Sequence, residues 1–251
     1  MRAALFVTCV NDALYPRTGI AVVRILERLG VEVDFPAAQS CCGQPQYNTG
    51  YRWESEPLLR RTAEAFAGHE YVVTPSGSCA AMIREHYPRI GRKAAQEGRG
   101  SALAELAAGL VPHVYELTEF LVDVLGVTDV GAHFPHTVTY HPSCHGLRTL
   151  GLGERPRRLL TAVKGLELVE LPGAEECCGF GGTFAVKNAD VSAAMGADKI
   201  RNARATGAEV LCGADNSCLA HLDGTLRRAG APLRALHLAE ILASTEEEPL
   251  R

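Results

Sequence analysis

The sequence lacks any long apolar run. None of its hydrophobic stretches approaches the roughly 20 residues that a helix needs to cross a bilayer, so no membrane span is expected. It also lacks an excess of positive charge. Lys and Arg number 25 against 29 Asp and Glu, for a formal net charge of -4. Without a basic stripe to follow a phosphate backbone, nucleic-acid binding is not a leading function class. The opening residues, MRAALFVTCV, carry one charge and no cleavage-site pattern. They read as a first strand and not as a signal peptide, and a cytoplasmic location is expected. Flavin and nicotinamide fingerprints are missing too. Gly179-Phe180-Gly181-Gly182 lacks the lysine and the helix-opening Ser or Thr of a phosphate loop.

What is present is an ordinary globular composition with one anomaly. The chain has 251 residues, 47% hydrophobic and 22% charged, enough for one large core or two modest ones. The anomaly is nine cysteines. An odd number cannot pair completely within one chain, and cytosolic thiols are kept reduced, so a disulfide framework is not expected. Nor are the cysteines scattered as core residues would be. Two adjacent pairs are each followed by glycine, Cys41-Cys42-Gly43 and Cys177-Cys178-Gly179. A chance CCG at this cysteine content is expected on the order of a few hundredths of a time.

The cysteines fall into two ordered sets, Cys9, Cys41, Cys42, Cys79 and Cys144, Cys177, Cys178, Cys218, at offsets of 135, 136, 136 and 139 residues. Landmarks held at near-constant offset indicate an internal duplication. LFVTCVN aligns with VTYHPSCHG, and VVTPSGSC with VLCGADNSC. VYELTEFL aligns with ALHLAEIL at an offset of 121, so the first repeat carries an insertion, read as extra helix over residues 91–110. The division expected is a first domain at 1–125 and a second at 126–251. Cys212 aligns with Val73, which marks it as a buried strand position and not as a ligand.

Periodicity and punctuation alternate between strand and helix. Strands are expected at 3–8, 31–35, 71–74, 137–141, 166–171 and 209–213. Helices are expected at 16–29, 53–67, 80–87, 155–163, 188–205 and 219–229. Ile20, Val23, Leu26 and Leu29 read as the buried face of the first helix. The fold class is therefore α/β: two similar domains, each a small parallel sheet flanked by helices, related by a pseudo-twofold. Each cysteine set then lies just beyond the C-terminal ends of strands, where open α/β sheets place their ligands. Both sets are expected to face the domain interface.

Thiolates suit zinc, copper(I) and iron–sulfur clusters. Structural zinc sites usually draw ligand pairs two to four residues apart, and adjacent cysteines would strain to reach one ion. A multi-iron cluster relieves this, because the two sulfurs can bind different irons or one can bridge. The two Cys, Cys-Cys-Gly, Cys patterns resemble the cysteine-rich CCG domain family. That family occurs in heterodisulfide reductase, in the iron–sulfur subunit of glycolate oxidase and in lactate-utilization systems. PSGSCAAM, YHPSCHGLR and CCGFGGTF look most like the lactate-utilization branch.

The resemblance implies iron–sulfur clusters, up to two and of the [4Fe-4S] type, in a cytoplasmic electron-transfer subunit. That subunit would serve an enzyme system oxidising L-lactate to pyruvate, beside a ferredoxin-type iron–sulfur protein and a third subunit. It implies cluster ligation by Cys9, Cys41, Cys42 and Cys79, and by Cys144, Cys177, Cys178 and Cys218. Two other readings stand beside it: a heterodisulfide-reductase-like thiol/disulfide redox subunit, and a zinc-bound structural module, with zinc also entering protein handled in air. The fullest family pattern ends each domain in Cys-x-x-Cys. Here the last place is Met82 in one repeat and His221 in the other. Met is a weak ligand, whereas His nitrogen can replace thiolate on iron, so His221 is either a ligand or a packed helix residue. His141 and His145 flank Cys144 as donors to a cluster sulfur or as structural residues. Ser76-Gly77-Ser78 and Asp215-Asn216-Ser217 read first as helix caps and second as hydrogen-bond donors around a cluster, and Arg148 reads either as a binder of a carboxylate substrate or as one ordinary basic residue among many.

Overall fold

Short runs of apolar and β-branched residues form the strands, and each is followed by a helix that carries the chain back across the sheet. The computed structural model describes residues 1–250. In the first repeat the strands are β1 (Arg2–Leu5), β2 (Glu32–Asp34), β3 (Val72–Thr74) and β4 (Val114–Glu116). In the second they are β5 (Thr137–His141), β6 (Glu167–Val169), β7 (Val210–Gly213) and β8 (Arg234–His237). The two sheets have the same order, β2-β1-β3-β4 and β6-β5-β7-β8, with every pairing parallel. The fold is α/β and duplicated, as the cysteine register indicates. Six strands match the expected places. β4 and β8 do not show in the sequence, because each runs into the following helix, α8 or α13, with no loop residues between them to mark the boundary.

The helices of the first repeat are α1 (Cys9–Leu14), α2 (Pro16–Arg28), α3 (Gln44–Thr49), α4 (Glu56–Ala65), α5 (Gly77–Ala81), α6 (Tyr87–Gln96), α7 (Ala102–Leu110) and α8 (Leu117–Glu119). Those of the second are α9 (Arg155–Thr161), α10 (Phe184–Lys187), α11 (Ala189–Ala205), α12 (Asn216–Arg228) and α13 (Leu238–Ala243). The insertion is helical as expected. α6 and α7 meet backbone to backbone at Gly91, where a Cβ would stand 2.6 Å from the Ala104 Cα.

The buried face of α2 differs from the sequence reading. Ile20 is 54% exposed, while Thr18, Ala21, Val22, Ile25 and Leu26 are buried. The neighbour decides the face. α13 of the other repeat packs there, and the Thr18 hydroxyl donates to Glu240 Oε1 at 2.7 Å. Small and polar residues make this contact, so a search for large apolar side chains at helical spacing misplaces it.

Hydrophobic residues form three layers. One lies outside the first sheet, around Phe6, Phe66, Ile83 and Tyr87, and one outside the second, around Ile200, Leu211 and Leu222. The largest lies between the sheets and draws on both repeats, with Leu5, Ile25 and Phe120 meeting Val138, Leu160, Cys212 and Ile241. Contacts across the repeats are reciprocal. Asn216 Nδ2 donates to Asn11 Oδ1 at 2.8 Å. At the equivalent positions, Gly77 lies against Gly146, with 3.5 Å from its Cβ direction to the Gly146 nitrogen.

Equivalent caps have diverged chemically. Glu116 Oε2 accepts from the Thr118 nitrogen at 2.7 Å, and Glu119 Oε2 accepts from the Glu116 nitrogen at 3.1 Å. At the matching place before α13, His237 Nδ1 accepts from the Ala239 nitrogen at 3.1 Å. Complete burial pushes the Glu116 carboxyl up to about 7. A carboxyl raised on folding contributes stability that is fully present below its ordinary pKa near 4.5 and lost as pH rises through 7. Glu116→Gln keeps the accepting oxygen without the charge. It is expected to be more stable than the parent at pH 8 by on the order of 3 kcal/mol, a gap that closes toward pH 5. Denaturant melts across that range check this, and parallel pH profiles for the two proteins would refute it.

Candidate metal centres

Each doubly wound sheet reverses its strand order between its two central strands, β1 and β3 or β5 and β7, and the cysteines collect there. Cys9 opens α1 just after β1. It follows Thr8, whose φ of 73° is the one positive value at a non-glycine among the described residues. A β-branched residue in that region is strained and persists only where its surroundings hold it. Cys41 and Cys42 lie in the loop after β2. Gly43, at φ 85°, takes the left-handed turn that leads into α3. Cys79 sits in the first turn of α5, where Ser76 Oγ accepts from its backbone nitrogen at 3.3 Å. Cys144, Cys177, Cys178 and Cys218 occupy the same places after β5, after β6 and in the first turn of α12.

The thiols of each set touch in a chain. Cys42 Sγ lies 3.2 Å from Cys79 Sγ, and Cys41 is hydrogen-bonded to both Cys9 and Cys42. In the second set Cys177 is hydrogen-bonded to Cys144 and Cys178, and Cys178 to Cys218. The sequence grouping of the cysteines is thus the spatial one. Cys212 stands apart, fully buried on β7 in the layer between the sheets. In both sets the inner pair, Cys42 with Cys79 and Cys178 with Cys218, is buried, and Cys9 is the exposed member.

The first cysteine of each CCG carries the charge most readily. Hydrogen bonds from the Cys42 and Cys9 thiols, and from the Gly43 nitrogen at 3.4 Å, hold Cys41 down to about 3. Cys144, Cys178 and the Gly179 nitrogen, also at 3.4 Å, hold Cys177 down to about 2. Its neighbours Cys144 and Cys178 are pushed up, chiefly because they donate to it. Lys199 adds a buried cation near the second set, its Nζ donating to the Gly173 carbonyl and, at 3.3 Å, to the Ala174 carbonyl.

The other candidates divide. Met82 is fully buried among the first repeat's outer core residues. His221 Nε2 lies 3.2 Å from the Ser192 carbonyl oxygen, in a space walled by Gly179 and Gly196. Arg148 donates to the Glu175 carbonyl at 2.9 Å. His145 joins the two sites: Nδ1 lies 3.6 Å from Cys144 Sγ, and Nε2 lies 3.2 Å from Gln44 Nε2, which also donates to the Ser78 carbonyl. His141 is 1% exposed, and a ring nitrogen lies within 4.8 Å of the Cys178 and Cys218 sulfurs. Burial, with Lys199 nearby, pushes it down to about 4, so the ring is neutral at ordinary pH.

The two ligand helices share one acceptor. Asp215 caps α12, accepting from the Ser217 nitrogen at 3.1 Å through Oδ1. Its Oδ2 accepts from the Ser78 nitrogen at 2.8 Å, one residue before Cys79. The sequence marks Asp215 as a cap for its own helix. Its reach to the other repeat depends on how the halves pack, and no local pattern carries that.

Two sets of converging soft donors, built on duplicated strand ends, define a cysteine-rich α/β protein suited to thiophilic metal or iron–sulfur centres. Residues 3–84 and 138–223 each match the CCG cysteine-rich domain, and the chain belongs to that family. Among its relatives, Lactate utilization protein A of Geobacillus thermodenitrificans is 51% identical over 96% of this chain and 98% of its own length. The protein of that name from Oceanobacillus iheyensis is 47% identical over 98% of each chain. The one from Bacillus subtilis is 48% identical over 97% of this chain and all of its own. No helix among the described residues is long and apolar enough to cross a membrane.

Single-site lesions are expected to be local. Cys42→Ser and Cys178→Ser should each remove the metal of one site, about half of the total, and Cys212→Val should leave metal content unchanged. Metal analysis of the three anaerobically purified variants decides, and loss of both sites from either serine variant would refute independent centres. Asp215→Ala is expected to behave differently. It removes an N-cap and a buried charge-assisted bond, together on the order of 3 kcal/mol, and should weaken metal retention at both sites. Intact retention at the first site would show that the Ser78 contact does not position Cys79.

Proposed function

We propose that the chain is an iron–sulfur subunit that carries electrons in a system oxidising L-lactate to pyruvate. The observation that supports this most strongly is the pair of four-thiol sets at equivalent strand ends, in a chain whose relatives at about half identity are named for lactate utilization. In this reading each domain, 1–125 and 126–251, owns one cluster of the [4Fe-4S] type. Cys9, Cys41, Cys42 and Cys79 hold the first, and Cys144, Cys177, Cys178 and Cys218 hold the second.

The bound clusters supply one-electron redox chemistry. The chain's own residues fix how they are held. Buried Cys42, Cys79, Cys178 and Cys218 keep the inner side of each site dry. Gly43 and Gly179 donate backbone N–H bonds to the Cys41 and Cys177 sulfurs, and such bonds together with burial tune a cluster's potential. The exposed Cys9 sets the first site's open edge toward a partner. Oxidising lactate to pyruvate releases two electrons and two protons, and the chain has no flavin or nicotinamide fingerprint to take a hydride. It therefore works with other subunits, a ferredoxin-type iron–sulfur protein and a third component, in the cytoplasm.

Iron and acid-labile sulfide in anaerobically purified chain test the first half of this reading. The expected result is several iron atoms per site and a broad visible absorption that bleaches on reduction. Zinc alone, in protein never exposed to air, would return the chain to a structural zinc module. Adding the chain to its partner subunits with L-lactate tests the second half: its clusters should be reduced at the expense of lactate. Reduction of a disulfide substrate by the chain with no response to lactate would favour the heterodisulfide-reductase-like alternative.

A further inference from the structure

The two repeats differ in chemistry three residues before their first cysteine. In the first repeat that place is Phe6, fully buried with its ring edge-on to Phe66 at a centroid distance of 5.3 Å. In the second it is His141, the last residue of β5 and equally buried. A phenyl ring there needs nothing but packing. An imidazole needs partners, yet neither His141 nitrogen has a hydrogen-bond partner. Leaving a buried polar group unpaired costs about 1–3 kcal/mol, and such a group calls for an explanation.

The neighbours supply one. A His141 nitrogen and the sulfurs of Cys178 and Cys218 all lie within 4.8 Å of one another, and all three residues are buried. This is a set of donors facing a single point from a strand end, the CCG loop and a helix start. We propose that His141 takes the place of one of the four thiolates at the second centre, alongside Cys178 and Cys218, so that this centre is held by three thiolates and one imidazole while the first is held by four thiolates. The inference rests on the reading above that the cysteine sets hold iron–sulfur clusters.

The other histidines of the second site are placed differently. His221 has its Nε2 beside the Ser192 carbonyl, and His145 has its Nε2 beside Gln44. Buried Lys199 brings positive charge to the same side. A neutral imidazole in the ligand set carries less negative charge than a thiolate, and Lys199 offsets more of what is left. Both raise a cluster's potential, as imidazole does in Rieske centres. The two centres are therefore unequal. The second is the higher-potential one, and an electron entering at the first runs downhill to it.

The test uses the full chain, loaded with iron and sulfide under anaerobic conditions, reduced with dithionite and examined by pulsed EPR for coupling to nitrogen-14. The variants are His141→Phe, which restores the first repeat's residue, and His141→Gln, which keeps a polar group. His221→Ala is the comparison. The expected result is a strong imidazole nitrogen coupling in the parent and in His221→Ala that is lost in both His141 variants. The first cluster's signal should persist in these variants and so shows that they are folded. Nitrogen coupling that survives in His141→Phe, or loaded parent protein without any, overturns the assignment and leaves the iron–sulfur reading standing. Parent protein that takes up no iron overturns the iron–sulfur reading instead. Co2+ alone is then the probe, and His141→Phe must alter its visible spectrum for the His141 assignment to hold.

Discussion

One buried carboxylate ties the halves of this protein together where its chemistry is built. Asp215 accepts from the start of α12 with one oxygen and from Ser78, at the start of α5, with the other. Each helix carries a cysteine in its first turn. The helix starts present free N–H groups and positive dipole ends, which favour anionic thiolates beside them. Two such starts lying near each other need negative charge between them, and Asp215 provides it. Cys79 and Cys218, one from each site, lie beside this shared cap, and the strands and loops bring the other cysteines of each site to them.

The parallel sheet explains why three separate segments can meet. In an order such as β2-β1-β3-β4 the chain winds one way from β1 to β2 and the other way from β1 toward β3 and β4. The crevice at the reversal is open at the C-terminal strand ends. Loops after β1, β2 and β3 all empty into it. Much of this was legible in the sequence, because the cysteine offsets and the strand–helix alternation are strong periodic signals. The shared face of α2 and the last strand of each repeat were not. Thr18 and Ala21 are not conspicuous core residues, and β4 passes into α8 with no loop residues between them. His141 could be named as a neighbour of Cys144, but its approach to Cys178 and Cys218 comes from folding the β6 and β7 loops over β5. Its alignment with Phe6 was the one local hint.

Duplication gave both halves the same scaffold, and divergence then acted on chosen places. The cap before the last helix is Glu116 in one half and His237 in the other, with the same bond to a backbone nitrogen. One is a carboxyl pushed up to about 7 and the other an imidazole pushed down to about 4, so in each case burial shifts the group toward its neutral form. Phe6 and His141 differ in a different sense, since the change alters what the site can bind. The scaffold tolerates either kind of exchange because the strands, the CCG loop and the capped helix fix the backbone without those side chains.

The middle apolar layer has a historical consequence. Leu5, Ile25 and Phe120 are covered by Val138, Leu160 and Ile241, so a single repeat standing alone would expose a broad greasy face to water. An ancestor of half this length had to cover that face, and a second copy of itself fits the duplicated geometry. The present chain thus has the arrangement of a homodimer whose two subunits are joined, and joining leaves each copy free to mutate separately. A true dimer must change both faces whenever it changes one; a fused one can give a phenyl ring to one pocket and an imidazole to the other.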